Sequence, residues 1–433
     1  MKPYESYTDT PESHWYSKLP ISWKSQKLRT LFGERRTIVS DKDYPALSVG
    51  SAGIVPQLTT AVKTNNGDHR KLICAGDFAI NSRSDRKGAC GVSEYTGSCS
   101  LIITVLRPHS ELNNHFFHYL LRSHFFSEEF YRNGFGIVSD LWTTRWKNMR
   151  NIPVPVPPRE EQEQIVRFLD GKVSAIDKLI ATKKHQLCSL TALNSTMEKN
   201  LVLLGFDAVY PKNPPSADWK ENIPAHWKIR PLKRIFKILS GATPKSEIPE
   251  YWDGNIAWIT PADYKTQDKY ISHGSRNITE AGYASCSTNM IPRGSIIFSK
   301  RAPIGTVAIN DIELCTNQGC LSCIPIKDTS ATYYYYLMSC FTDVFEMNAS
   351  GTTFKEISAT TFGNMKVPFP PINEQKEIAA YLDARHTKYV RFAETTQKEI
   401  IVLNELKTRL ISDAVTGKID VRSIKLPNFA KEE

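Results

Sequence analysis

The stretch "PVPPREEQEQI" at residues 155–165 returns as "PFPPINEQKEI" at residues 368–378, 213 positions further along the chain. Proline is tolerated in the first turn of a helix, because its missing N–H would have no partner there. Acidic residues just after it complement the positive end of the helix dipole. Pro157 and Pro158 before Glu160 and Glu161 therefore predict the point where a folded domain stops and a long helix starts.

Two further pairs of segments show that the whole chain is a tandem repeat. "WYSKLPISWKSQKLRTLF" (15–32) aligns with "WKENIPAHWKIRPLKRIF" (219–236) at an offset of 204, and "GDFAINSR" (76–83) aligns with "GSIIFSKR" (294–301) at an offset of 218. The changing offset indicates insertions and deletions between fixed anchors. The sequence therefore predicts an arrangement A–B–A′–B′.

The A segments, residues 24–155 and 228–368, have the composition of α+β domains. Short apolar runs with β-branched residues, "SLIITVL" (100–106) and "GSIIFS" (294–299), predict strands. The aromatic stretches "NNHFFHYLLRSHFF" (113–126) and "TYYYYLMSCF" (332–341) predict helices. We interpret the tyrosines at 333–336 as helix and core rather than as a platform for stacked bases.

The B segments carry apolar residues at helical spacing. In the first, a largely 4–3 grid runs through positions 165, 169, 173, 176, 180, 187, 190, 197, 201 and 204, with Lys183 and Asn194 as polar entries of the kind that fix register. Adding 213 gives a weaker grid in the same register. Two such helices can pack antiparallel, which predicts a coiled coil with the globules at its opposite ends and a pseudo-twofold axis.

Bulk composition narrows the class of protein. The 433 residues are 41% apolar and 23% charged, which is the composition of a folded protein. The sequence contains no run of 18 apolar residues, so it predicts no membrane span. Nine cysteines, odd in number and irregularly spaced, indicate a reducing cytoplasm. The net charge of +10 concentrates in two blocks, +7 in residues 24–155 (18 Lys and Arg against 11 Asp and Glu) and +3 in residues 228–368 (15 against 12). Two basic blocks favour a polyanionic partner that is contacted at two places.

Motifs for catalysis or metal binding are weak. "AVTGKI" (414–419) lacks the first glycine and the hydroxyl residue of a P-loop, and "KNPPS" (212–216) lacks the aromatic residue of an amino-methyltransferase turn. "CTNQGCLSC" (315–323) has the cysteine spacing of an iron–sulfur loop. Because the first copy has only Cys99 in the matching segment, we interpret these cysteines as buried thiols.

The chain resembles the specificity (S) subunit of type I restriction–modification enzymes over essentially its whole length. The resemblance rests on the two junctions quoted first and on four segments of the second globule: "SGATPKSEIPEYWDGNIAWITPADY" (240–264), "SKRAPIGTVAI" (299–309), "TNQGCLSCIPI" (316–326) and "SGTTFKEISATTFGNMKVPFPP" (350–371). The first globule departs from it, with "ALSVGSAGIVPQ" (46–57) and "NSRSDRKGACGVS" (81–93).

The resemblance implies a domain order and a set of partners. Residues 1–23 would complete the repeat, 24–155 and 216–368 would be target recognition domains, and 156–215 and 369–433 would be helical regions. Each recognition domain would read one half of a split site in double-stranded DNA. The helices would hold the spacing and dock two modification subunits, and restriction subunits would complete a cytoplasmic, prokaryotic complex. S-adenosylmethionine, ATP and magnesium are expected on those partners, with no cofactor, metal or catalytic residue in this chain.

Candidate DNA contacts follow from residue chemistry, since Lys, Arg and small hydroxyl residues bind phosphates and Arg and Lys read base edges. A basic loop follows a predicted strand in both copies, and the repeat pairs Arg83 with Arg301. The predicted contacts are Arg83, Arg86 and Lys87; Lys300 and Arg301; Thr243 and Lys245; and Arg145, Lys147 and Lys355 before the helix junctions. The alternative for the first five of these residues is a solvated basic loop, and Gln318 is either a contact or a structural amide.

Two other functions stay open on the sequence. One is a DNA-modifying enzyme that acts alone, and the missing cofactor motifs speak against it. The other is a coiled-coil scaffold that binds proteins through its two globules, and the two basic blocks speak against that.

Overall fold

The structure is a computed structural model that describes residues 2–51, 53–57, 67–83, 88–136, 142–206, 223–264, 268–351 and 355–424. The chain forms two compact units, and each contains part of both long helices. Unit 1 comprises Met1–Lys184 with Gln397–Glu433, and unit 2 comprises His185–Thr396. "KNPPS" (212–216), Arg86 and Lys87 lie outside the described residues.

Unit 1 is built from short strands around a four-stranded sheet. The strands are β1 (Tyr7–Asp9), β2 (Lys18–Pro20), β3 (Lys24–Lys27), β4 (Phe32–Arg35), β5 (Ile38–Val39), β6 (Leu47–Gly50), β7 (Gly53–Pro56), β8 (Arg70–Ile73), β9 (Phe78–Asn81), β10 (Cys90–Val92), β11 (Gly97–Cys99), β12 (Ile103–Pro108) and β13 (Pro153–Val156). The main sheet has the order β10-β9-β12-β4, and β11-β8-β5 form a second sheet. The helices are α1 (Leu28–Leu31), α2 (Asn114–Arg122), α3 (His124–Arg132), α4 (Trp146–Met149) and the start of α5 (Arg159–Leu204).

Unit 2 repeats this plan with one more strand in the main sheet. Its strands are β14 (Lys228–Pro231), β15 (Phe236–Ser240), β16 (Trp252–Ile259), β17 (Tyr270–Ile271), β18 (Arg276–Ile278), β19 (Ile296–Ser299), β20 (Val307–Asn310), β21 (Cys315–Thr316), β22 (Cys320–Pro325) and β23 (Lys366–Phe369). The main sheet has the order β15-β22-β19-β20-β17, and β18-β16-β21 form a second sheet. The helices are α6 (Glu280–Ala284), α7 (Ala331–Cys340), α8 (Thr342–Met347), α9 (Ala359–Asn364) and α10 (Ile372–Val415).

Strand registers confirm the duplication. Asn81 pairs with Ile103 across β9 and β12, as Ser299 pairs with Cys320 across β19 and β22. These pairs keep the offset of 218 between β9 and β19. In both copies an antiparallel pair, β3 with β13 and β14 with β23, closes the domain immediately before a long helix. The architecture is therefore α+β with a tandem repeat, as predicted.

The aromatic stretches form helices that fill the cores. In unit 2, Tyr333 and Tyr334 of α7 are fully buried and Tyr336 is 4% exposed, which confirms the core interpretation. The corresponding stretch of unit 1 forms two helices rather than one. Ser123 caps the second of them, because its hydroxyl accepts a hydrogen bond from the backbone N–H of Phe126 at 3.4 Å.

The long helices α5 and α10 form the predicted antiparallel seam within each unit. From residue 172 to residue 196, the positions of α5 that are not exposed are 173, 176, 180, 183, 187, 190 and 194, all on the predicted grid. Lys183 Nζ lies 2.6 Å from Glu399 Oε2, and Asn194 Oδ1 accepts from Arg385 Nε at 3.0 Å. Both polar entries therefore bind the partner helix.

The glutamine of the repeated signature ties each long helix to the strand before it. Gln162 Nε2 donates to the carbonyl of Pro157 at 2.9 Å, and Gln375 Nε2 donates to the carbonyl of Pro370 at 2.8 Å. The proline and acidic positions explain only the helix start. The glutamine also fixes the direction in which the chain leaves the domain and enters the helix. This shared role explains why the glutamine is present in both copies.

The far ends of both long helices pack against a repeated tryptophan. Gly205 and Gly417 adopt the left-handed conformation (φ +67° and +71°) that terminates many helices. A Cβ on Gly205 would lie 3.1 Å from Trp227, and one on Gly417 would lie 3.3 Å from Trp23. In unit 1 the segment after α10 also binds the N-terminal segment, with the N–H of Asp420 donating to the carbonyl of Lys2 at 2.9 Å.

Candidate nucleic-acid interface

The two basic loops occupy the same place in their domains. The carbonyl of Ser82, which follows β9, accepts from the N–H of Thr144 at 2.9 Å. The carbonyl of Lys300, which follows β19, accepts from the N–H of Ile357 at 3.1 Å. Each loop is thus held against the segment that leads to the long helix. Because the offsets of 218 and 213 both reappear in these contacts, the pairing of Arg83 with Arg301 is structural as well as sequential.

An isolated antiparallel backbone bridge accompanies each loop. The backbone of Phe135 pairs with that of Thr143 in unit 1, and the backbone of Ser350 pairs with that of Glu356 in unit 2. Thr143 and Glu356 are therefore equivalent positions that differ in charge.

In unit 1 the predicted cations surround an exposed aromatic ring. Phe135 is 43% exposed, and Arg145 Cζ and Lys147 Nζ lie 5.9 and 5.3 Å from its ring centroid. Arg83 is exposed, its backbone bridges Thr143, and its guanidinium has no hydrogen-bond or ion-pair partner among the described residues. The structure thus places Arg83, Arg145 and Lys147 around the bridge between Phe135 and Thr143.

In unit 2 the predicted cations converge on one carboxylate. Lys300 Nζ lies 2.8 Å from Glu356 Oε1, and Arg301 Nη1 lies 3.6 Å from Glu356 Oε2. Lys355 is exposed and lines the same groove, together with Glu346. The sequence analysis did not predict a role for Glu356. The residue could have been found from its position, because it follows Lys355 directly and aligns with Thr143 of the first copy.

The remaining predicted pair in unit 2 is anchored beside this loop. Thr243 Oγ1 donates to Gln318 Oε1, so the amide of Gln318 has a structural partner. The next residue, Gly319, accepts from the N–H of Lys300 at 3.0 Å. Lys245 is exposed, and its carbonyl accepts from Trp252 Nε1 at 3.2 Å. The predicted contacts of unit 2 therefore lie on connected loops.

The cysteines of the iron–sulfur-like spacing lie in strands. Cys315, Cys320 and Cys323 are fully buried, as predicted. Burial raises the pKa of Cys320 to about 12 and that of Cys315 to about 11, so both are neutral thiols at neutral pH. Across the described parts of the chain, no three metal-ligating side chains cluster. In the same parts, no helix has the length and apolar character of a membrane span.

Comparison with known proteins agrees with this architecture. The family model "Type I restriction modification DNA specificity domain" matches residues 23–189 and 224–402. The MjaIX type I restriction enzyme specificity subunit of Methanocaldococcus jannaschii is 40% identical over 163 residues, 37% of this chain and 38% of that protein. The putative MjaX specificity subunit of the same organism is 26% identical over 80% of this chain and 79% of its own length.

A solved structure shows the same fold. A chain from a type I R-M system, described for its complex assembly and conformational transition, superposes with a TM-score of 0.73 at 18% identity, over 93% of this chain and 100% of that chain. The two matches of the family model cover most of the residues in both copies of the repeat. The chain therefore belongs to the type I restriction–modification DNA specificity family, as a tandem pair of specificity domains.

Proposed function

We propose that this chain is the non-catalytic, sequence-specific DNA-binding subunit of a type I restriction–modification complex. Each domain reads one half of a bipartite target in double-stranded DNA. The contacts are the predicted cations and hydroxyl groups: Arg83, Arg86, Lys87, Arg145 and Lys147 in the first domain, and Thr243, Lys245, Lys300, Arg301 and Lys355 in the second.

The observation that carries the proposal is the repeated placement of a cationic loop. Arg83 and Arg301 sit on equivalent loops, and each loop is anchored to the segment that leads to a long helix. One polypeptide thus carries two basic surfaces built on the same scaffold. A duplex with two separated half-sites is a polyanion that matches two such surfaces.

The long helices supply a docking surface for two modification subunits, with restriction subunits completing the complex in a prokaryotic cytoplasm. S-adenosylmethionine, ATP and magnesium bind to those partner subunits. Exposed large apolar side chains on both helices support docking, because a partner that covers them removes apolar surface from water. These side chains are between 42% and 60% exposed: Leu179, Leu193, Tyr381, Phe392, Ile401, Val402 and Leu406.

Binding of the full chain to a randomised duplex library tests this function. We expect the bound fraction to contain two short motifs at a fixed spacing, and affinity to fall steeply with salt. Arg301→Ala should weaken one motif, leaving the other motif and the binding of modification subunits unchanged. A chain that enriches no DNA sequence, with or without those subunits, would favour a protein scaffold. Methyl transfer from labelled S-adenosylmethionine by the chain alone would favour an enzyme.

A further inference from the structure

Glu356 places a negative charge in the middle of the predicted contact surface of the second domain. Its carboxylate contacts both Lys300 and Arg301, at 2.8 and 3.6 Å. We propose, resting on the proposed function, that Glu356 is a positioning residue. It weakens the contact of Lys300 with phosphates and orients Arg301, so that the second domain reads a base edge at this loop.

The scaffold around this carboxylate is tightly bonded. The backbones of Glu356 and Ser350 exchange two hydrogen bonds, of 3.0 and 3.1 Å. The hydroxyl of Ser299 lies 2.7 Å from the carbonyl oxygen of Arg301 and 2.8 Å from that of Pro303. The loop and the backbone that carries Glu356 are therefore each held by hydrogen bonds, and a rigid support of this kind is the condition for a side chain that selects between bases.

Charge and exposure assign different roles to the two cations. The Lys300 side chain is 14% exposed and lies against Glu356, whose carboxylate repels an approaching phosphate. The Arg301 side chain is 40% exposed, and its Nη1 lies 3.6 Å from Glu356 Oε2. No hydrogen bond joins its guanidinium to another described residue, and the planar fork of an arginine matches the N7 and O6 acceptors of guanine.

Stability alone does not explain the arrangement. Lys300 is 14% and Glu356 is 38% exposed, so the cost of removing the lysine from water offsets much of the attraction, and the net contribution of the pair to folding is small. The equivalent position of unit 1 is the uncharged Thr143, in a domain of the same fold. The counterpart of Lys300 is likewise uncharged, Ser82, so the fold requires neither charge, and the ion pair is a feature of the second domain's contact surface.

The test compares three variants of the full chain by selection from a randomised duplex library and by the salt dependence of binding. Glu356→Gln should lower discrimination at a position of the second half-site about tenfold, the scale of one lost bidentate base contact. The slope of log affinity against log salt should become more negative by about one to two, because Lys300 and Arg301 are freed for phosphates. Arg301→Lys should lose the same discrimination with an unchanged slope.

Glu346→Gln is the matched control. Glu346 is exposed and lines the same groove, and no ion pair joins it to another described residue. This variant removes the same charge, so it should shift the salt slope slightly and keep every base preference. The first half-site serves as an internal reference. If the wild-type chain selects no bipartite sequence, the proposed function fails and this inference with it. If the wild type selects one and Glu356→Gln retains the same preferences, the inference alone is overturned.

Discussion

Two equivalent tryptophans show how the repeats diverge at single residues. Trp227 Nε1 donates to Glu374 Oε2 at 2.8 Å. Trp23 Nε1 is buried and has no hydrogen-bond partner among the described residues. The reason lies in Glu161, the counterpart of Glu374, whose carboxylate accepts instead from the hydroxyl of Tyr4. The N-terminal segment thus takes the acceptor that the tryptophan uses in the other copy.

Replacement of each tryptophan by phenylalanine should therefore have unequal effects. Trp227→Phe breaks a hydrogen bond to a charged group, worth about 1.5–3 kcal/mol, whereas Trp23→Phe removes a donor that lacks a partner. We expect Trp227→Phe to lower the free energy of unfolding by about 1–2 kcal/mol more. Hydrogen exchange, read separately in unit 1 and unit 2, measures both. Equal losses of protection would show that ring packing alone matters at both positions.

His118 makes the first domain sensitive to mild acid. Burial and the Arg122 guanidinium, 2.8 Å from Nε2, lower the pKa of His118 to about 4. In the unfolded chain this imidazole is protonated below a pH of about 6.5, whereas in the folded chain it stays neutral down to about pH 4. The free energy of unfolding therefore falls as the pH drops from about 6.5 to about 4.

The predicted loss between pH 7 and pH 5 is about 2 kcal/mol in the free energy of unfolding. Urea unfolding of the wild type and of His118→Gln at both pH values measures it. The variant should lose less stability over the same interval, because its side chain does not titrate. A wild type and a variant with the same pH dependence would place the acid-sensitive group elsewhere.

Sequence patterns predicted that the two candidate loops are equivalent, but they did not predict the ion pairs within the second loop. The pairing of Arg83 with Arg301 was predictable because the segments align at one offset. The contact of Glu356 with Lys300 was not, because it joins loops 56 positions apart through a fold that periodicity does not describe. Likewise, no pattern places Phe135 under Arg145 and Lys147.

At the scale of elements, local signals predicted helices better than sheets. The spacing of apolar residues gave the seam of α5 and α10, since burial on a helix follows its 3.6-residue period. The helix predicted over 113–126 was wrong in its continuity, because Ser123 caps a new helix there. The run 100–106 contributes only its end, from Ile103, to β12. Strand order depends on pairing between distant segments, which a single strand does not encode.

At the scale of the molecule, segments from both ends of the chain build one of the two units. Unit 2 is continuous from His185 to Thr396, whereas unit 1 is assembled from both ends of the chain. Tyr7 donates from its hydroxyl to the carbonyl of Gly417 at 3.1 Å, and Val421 is fully buried in the core that holds Trp23. The N-terminal segment therefore packs against the far end of α10 in unit 1, as Trp227 packs against the far end of α5 in unit 2.

If α5 and α10 set the distance between the half-sites, lengthening both should change the spacing that the chain accepts. One heptad inserted after Lys184 in α5 and one after Thr396 in α10 preserve the seam, because both grids repeat every seven residues. Seven residues add about 10 Å, or roughly three base pairs. Selection from a randomised duplex library should then recover the same two motifs with a spacer about three base pairs longer. The same insertion in α5 alone mismatches the partner helix and should lower helix protection without defining a new spacing. Recovery of the original spacer by the doubly extended chain would show that something other than the paired helices fixes the distance.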